Sequence, residues 1–158
     1  VSEPTFSHLD DAGNARMVNV GDKDISQRRA VAQCSVQMSA ATAAAIRDGA
    51  MKKGDVLGVA RVAGIQAAKK TSDLIPLCHP IMISGVTVDF VVTNSSVDIT
   101  ATVTTVDRTG VEMEALTACS VAALTVYDMC KSADKDMVIT NVALWEKDGG
   151  RSGSYRKS

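Results

Sequence analysis

The segment from Thr109 to Lys131, TGVEMEALTACSVAALTVYDMCK, constrains this chain more than any other. It predicts one helix whose middle is almost wholly small or apolar, because between Ala115 and Val126 only Thr117, Ser120 and Thr125 carry polar groups. A helix with one face in water keeps a polar stripe along that face, so this one must be covered on most sides. Yet Glu112 and Glu114 stand in its first turn, and Asp128 and Lys131 in its last. The helix dipole accounts for one of the two glutamates, and an i,i+3 ion pair accounts for Asp128 with Lys131. Ionisable groups at the ends of a buried element are also where functional sites tend to be built. Glu114 and Asp128 are fourteen positions apart, which is ~21 Å along a helix rising ~1.5 Å per residue. A single copy of the helix cannot place both ends around one small metabolite. If both ends are functional, either the ligand is long or two subunits share each site.

The rest of the chain supplies partners for that helix. Residues 30–38 alternate loosely and predict a strand. Ser39 is an N-cap for an alanine-rich helix that ends at Gly49. A second helix fits Asp55 to Lys70, where Val56, Val59, Val62, Ala63 and Ile65 recur at helical spacing. The two prolines of LIPLCHP, at Pro76 and Pro80, forbid a continuous helix there. Residues 81–93 and 97–106 predict a hairpin around Asn94-Ser95-Ser96, with a bulge or bend at Gly85 and with Val97, Ile99, Ala101 and Val103 on one face. Met137 to Trp145 predicts a last strand. The order is β, α, β, β, α, β, which is a ferredoxin-like α+β fold: an antiparallel sheet with its helices on one face. Residues 1–29 are expected to be an extended arm with a short edge strand near Met17 to Val20, and residues 30–148 the domain. Residues 149–158 are expected to be a flexible Gly-rich basic tail. A sheet face with no helices on it and a helix apolar all round both point to self-association.

Charge and cysteine usage narrow the partners. With 17 basic and 18 acidic residues the chain has no field that favours nucleic acid or membrane. No apolar run approaches the ~20 residues of a spanning helix. Cys34, Cys78, Cys119 and Cys130 are scattered without a C-x-x-C pair, which favours reduced thiols over a disulfide framework or a structural zinc site. His79, between Cys78 and Pro80, reads equally well as a structural loop histidine or as a site residue. A metal pair from the adjacent Cys78 and His79 is the weaker alternative. Lys53-Gly54-Asp55 offers a cation and a turn before a helix start, a weak anion-binding signal without P-loop spacing.

The two long blocks KKGDVLGVARVAGIQAAKKTSDLIPLCHP and TGVEMEALTACSVAALTVYDMCK resemble the cyclic pyranopterin monophosphate synthase family of molybdenum cofactor biosynthesis, the MoaC family. The likeness runs from about Ser7 to the KDGGRSG tail. It implies a ferredoxin-like subunit in a hexamer built as a trimer of dimers, with sites at subunit interfaces. It implies a lyase that takes 3′,8-cyclo-7,8-dihydro-GTP, supplied by a radical GTP cyclase enzyme, to cyclic pyranopterin monophosphate with release of diphosphate. Carried over by motif, Leu77, Cys78, His79, Glu112, Met113 and Glu114 line the substrate pocket. Asp128, Lys131 and Lys53 match the catalytic acid and lysines, and Arg28 and Lys147 match basic residues near the phosphates. No cofactor is required and no metal ligands are implied, although magnesium is compatible with the chemistry. The resemblance implies a cytoplasmic enzyme, or an organellar one had a leader been removed. Asn19 stands where the family usually has aspartate, and Ser26 where it usually has threonine. The rival reading is a non-catalytic nucleotide- or pterin-binding assembly module, which ferredoxin-like subunits also serve as.

Overall fold

The computed structural model describes residues 8–158. Its elements are β1 (Ser26–Gln37), α1 (Ala40–Arg47), α2 (Val56–Lys69), α3 (Thr71–Leu74), β2 (Ile83–Val92), β3 (Ser96–Asp107), α4 (Glu112–Cys130), β4 (Val138–Asp148) and β5 (Tyr155–Arg156). The sheet order is β2-β3-β1-β4-β5, and every neighbouring pair is antiparallel. The first four strands have the order of a ferredoxin-like sheet, with α2 and α4 packed on one face, and the expected α+β class is the one observed.

Alternation places the core. Ala30, Ala32, Cys34 and Val36 of β1, with Val97, Ile99, Ala101 and Val103 of β3, turn toward the helices and are buried. Ser39 caps α1 by accepting from the Thr42 N–H at 3.2 Å, and Gly49 ends that helix region at φ +66°. Asp55 caps α2 by accepting from the Gly58 N–H at 2.9 Å. The β2–β3 register shifts between Ile83 and Gly85, as the glycine implied. The β1–β4 register shifts twice, and Asn141, at φ 56°, lies in the second irregularity.

Three expectations at the edges are corrected. Strand β1 begins at Ser26, inside the segment read as an arm, because its pairing with β3 continues to Asp107. Met17 to Val20 forms no strand. The last residues are not a loose tail: Glu146 pairs with Arg156 and Lys147 with Tyr155, and the Lys157 N–H donates to the Trp145 carbonyl at 2.8 Å. The part of the arm at residues 1–7 lies outside the described residues.

Small side chains let α2 and α4 approach at backbone distance. A Cβ added to Gly64 of α2 would lie 2.9 Å from the Ala118 carbonyl oxygen, 3.1 Å from Val88 and 3.3 Å from the Ala122 methyl. Alanine is the better helix former by about 1 kcal/mol, but overpacking against a backbone costs ~1–3 kcal/mol. Gly64→Ala is therefore expected to lose roughly 1–2 kcal/mol in chemical denaturation. A gain of the size that propensity alone supplies would show that the two helices are not in such contact.

Candidate active site

Three elements converge beside the N-terminus of α4. The β3–α4 connection brings Arg108, Thr109 and Gly110, the start of β1 brings Ser26 and Arg28, and the end of β4 with its following turn brings Lys147 to Ser152. They surround a hollow of about 610 Å³ that holds six basic residues, Lys23, Arg28, Arg29, Arg108, Lys147 and Arg151, against the acidic Asp24, Glu112 and Asp148. Arg28 and Arg29 play opposite parts. Arg29 is paired with Glu146 at 3.0 Å and Asp148 at 3.6 Å. Among the described residues, Arg28 donates only to backbone carbonyls, those of Asp107 at 3.2 Å, Arg108 at 3.3 Å and Asp24 at 3.4 Å. Carbonyls fix a guanidinium without cancelling its charge, so Arg28 is aimed and still cationic. Gly149 and Gly150 wrap around it at φ +96° and +78°. A side chain at Gly149 would collide with the Gln27 backbone carbonyl, and at both positions the positive φ favours glycine.

A second hollow of about 390 Å³ shares Lys23, Thr109, Gly110 and Glu112 with the first, making the two compartments of one cleft. Its other walls include Leu77, Cys78, His79, Met113 and Glu114. The His79 ring Nε2 lies 2.7 Å from the Val18 carbonyl. A carbonyl only accepts, so Nε2 carries a hydrogen and the ring is oriented by the N-terminal segment. The Lys147 ammonium stands 3.9 Å from the Glu112 carboxylate, at the junction of the two compartments, and also contacts the Ser152 hydroxyl. Glu114 is 3% exposed, and no ion pair among the described residues involves it. Burial, with help from the Glu112 charge, raises its pKa from the usual 4.5 to about 7. Burial and the Glu114 charge push the Cys78 thiol up as well, which keeps it from acting as a ready thiolate.

The other end of α4 carries a separate cluster. The Asp128 carboxylate lies 2.7 Å from the Lys131 ammonium and 3.2 Å from that of Lys53, which also donates to the Asp128 carbonyl at 2.9 Å. The two lysines hold Asp128 below the usual carboxylate range, and Asp128 raises Lys131. Lys53 thus serves α4 rather than an anion at the start of α2, where the Asp55 carboxylate already occupies the free amide. The structure brings Arg28, Lys147, Leu77, Cys78, His79, Glu112, Met113 and Glu114 into one cleft. It leaves Lys53, Asp128 and Lys131 at the far end of the helix. Asn19 accepts from the Gly21 N–H at 2.8 Å, a turn contact that asparagine makes as well as aspartate.

The MoaC family model matches residues 17–150. The chain belongs to the MoaC family. A protein named cyclic pyranopterin monophosphate synthase from Peptoclostridium acidaminophilum is 55% identical over 152 residues, covering 96% of this chain and 97% of the relative. Proteins of the same name from Thermoanaerobacter sp. strain X514 and Heliobacterium modesticaldum are each 56% identical, over 154 and 152 residues. They cover 96% and 95% of this chain and 98% and 96% of their own lengths.

Sequence reasoning missed Lys23, Arg108, Arg151 and Ser152 of this MoaC-family cleft. They come from separate loops, and the available signals were only basic residues beside Gly110 and the double glycine. The Glu114 environment generates a prediction with a definite sign. Its folded pKa exceeds its unfolded value, so its stabilising contribution is full below about pH 4.5 and is lost as pH rises through about 7. The loss amounts to at most ~3 kcal/mol. Glu114→Gln is expected to flatten the fall in stability between those pH values, read by denaturant titration. An unchanged profile would mean that Glu114 titrates as an exposed carboxylate.

Proposed function

We propose that this chain converts 3′,8-cyclo-7,8-dihydro-GTP to cyclic pyranopterin monophosphate and diphosphate, as a lyase of molybdenum cofactor biosynthesis. The observation that carries the reading is the joined cleft, in which a cationic compartment opens onto a pocket ending in a buried carboxyl. A triphosphate fits the first, where Arg28, Arg108, Lys147 and Arg151 would hold the negative charge that builds as diphosphate departs. The guanine-derived ring fits the second, because two carboxyl oxygens on Glu114 match a ring N–H and its neighbouring amino group. The remaining requirement is proton transfer while the purine ring rearranges, and the Lys131–Asp128–Lys53 cluster is built for that. No resident cofactor is needed, and magnesium would enter only as a counter-ion of the phosphates.

The cluster is a helix length from the cleft, so the reading has a second copy supply it. The outer helix layer is apolar enough to meet one, with Val59, Val62 and Leu124 exposed. The family likeness supports a hexamer of paired subunits with sites at the interfaces. The substrate would come from a radical enzyme acting on GTP.

Two measurements test this. A turnover assay should show pterin product and diphosphate in equal amounts, and Lys131→Ala should lower the rate by ~10²–10⁴. Binding without either product would favour a binding module. Glu114→Gln and Asp128→Asn proteins, inactive alone, should recover about a quarter of the wild-type rate when unfolded together and refolded, because half the mixed pairs' sites are intact. No recovery would place both ends of α4 in separate roles.

A further inference from the structure

Cys34 and Cys119 take no part in the proposed chemistry, yet their sulfurs lie 2.9 Å apart. Cys34 points inward from the middle of β1, and Cys119 meets it from the middle of α4, with exposures of 4% and 0%. The Cys34 S–H is also within reach of the Cys119 carbonyl at 3.5 Å, and that of Cys119 of the Ile99 carbonyl at 3.7 Å. Both are free thiols, as are Cys78 and Cys130, which have no cysteine neighbour of this kind. An S–S bond is ~2.05 Å long, so closing this gap takes a movement of less than ~1 Å.

The geometry points to an oxidative modification site, an intrachain disulfide between Cys34 and Cys119 that forms in the folded protein and ties α4 to the central strand. The oxidant is a small hydroperoxide. The Cys34 sulfur, having released its proton, attacks a peroxide oxygen to give a sulfenic acid, and the other oxygen leaves as hydroxide and takes up that proton as water. The Cys119 sulfur then attacks the Cys34 sulfur, the sulfenic hydroxyl leaves, and the Cys119 proton completes a second water. Two thiols lose two electrons and two protons, and the peroxide gains them. The order follows from the local fields: the S–H of Cys119 lowers the Cys34 pKa, whereas its bond to Cys34 and its burial keep Cys119 protonated. Cys34 is also among the residues that line a hollow of about 580 Å³, with Gln33, Ser35, Asn141 and Trp145.

The bridge would join residues 85 positions apart, a long loop whose closure restricts the unfolded chain strongly. The test treats the folded full-length protein with hydrogen peroxide, alkylates it after denaturation, and reads intact mass, peptide map and melting temperature. The expected result is a loss of two hydrogens, two alkylated thiols in place of four, and a Cys34–Cys119 peptide. The melting temperature should rise by roughly 5–10 °C, and dithiothreitol should reverse it. Cys78→Ser and Cys130→Ser should still form the bridge, while Cys34→Ala and Cys119→Ala should not. Four alkylatable thiols after treatment, oxygen addition without a cross-link, a bridge mapped to another pair, or a bridge surviving either alanine variant would overturn the assignment.

Discussion

The backbone contact between α2 and α4 is the constraint on which the rest depends. At Gly64, α2 comes so near Ala118 and Ala122 that no side chain fits between them. Such an approach needs small residues on both helices, which accounts for Ala118 and Ala122 at the contact. It also packs α4 against β1 and β3. A helix of 19 residues holds its two ends apart by its length. The cleft at one end and the lysine–aspartate cluster at the other are separated by that spacing, which is the ground for proposing that a second subunit completes the site.

At the cleft, fold and charge are arranged for different work on either side of Glu112. In the cationic compartment Arg28 is held by neutral carbonyls, so its charge is not cancelled, while Arg29 and Lys147 face carboxylates. In the second compartment, burial raises the Glu114 pKa to about 7, and Glu114 makes no ion pair among the described residues. Lys147 and Glu112 face each other at 3.9 Å between the two compartments. The contrast between Arg28 and Arg29 shows how little sequence distance this takes: both line the cationic hollow, but Arg28 is held by backbone carbonyls while Arg29 is paired with Glu146 and Asp148.

Much of this was legible in the chain. The helix over Thr109 to Lys131, the hairpin around Asn94-Ser95, the Ser39 and Asp55 caps and the Gly85 irregularity are local effects of periodicity and turn chemistry, and local effects are written in order. The family motifs likewise named His79, Glu114 and Asp128. What remained hidden was non-local. Arg108, Arg151 and Lys23 meet only because β1, β3 and β4 bring three loops to one sheet end. The β5 pairing of Tyr155 and Arg156 was hidden because a Gly-rich turn looks like a loose tail until a strand edge beside it is known to be free. The Cys34–Cys119 contact is of the same kind, since nothing in the spacing of the four cysteines marks two of them as neighbours.

The claim at the centre is that one site is built from opposite ends of α4 on two subunits. The most direct test is a crystal structure of the Lys131→Ala protein with 3′,8-cyclo-7,8-dihydro-GTP bound. The ligand's ring is expected to meet Glu114 and His79 of one subunit, with its phosphates among Arg28, Arg108 and Lys147, and with a second subunit's Asp128 and Lys53 facing the reacting ring. A ligand held entirely by one subunit, with Asp128 of every copy turned to solvent, would contradict it.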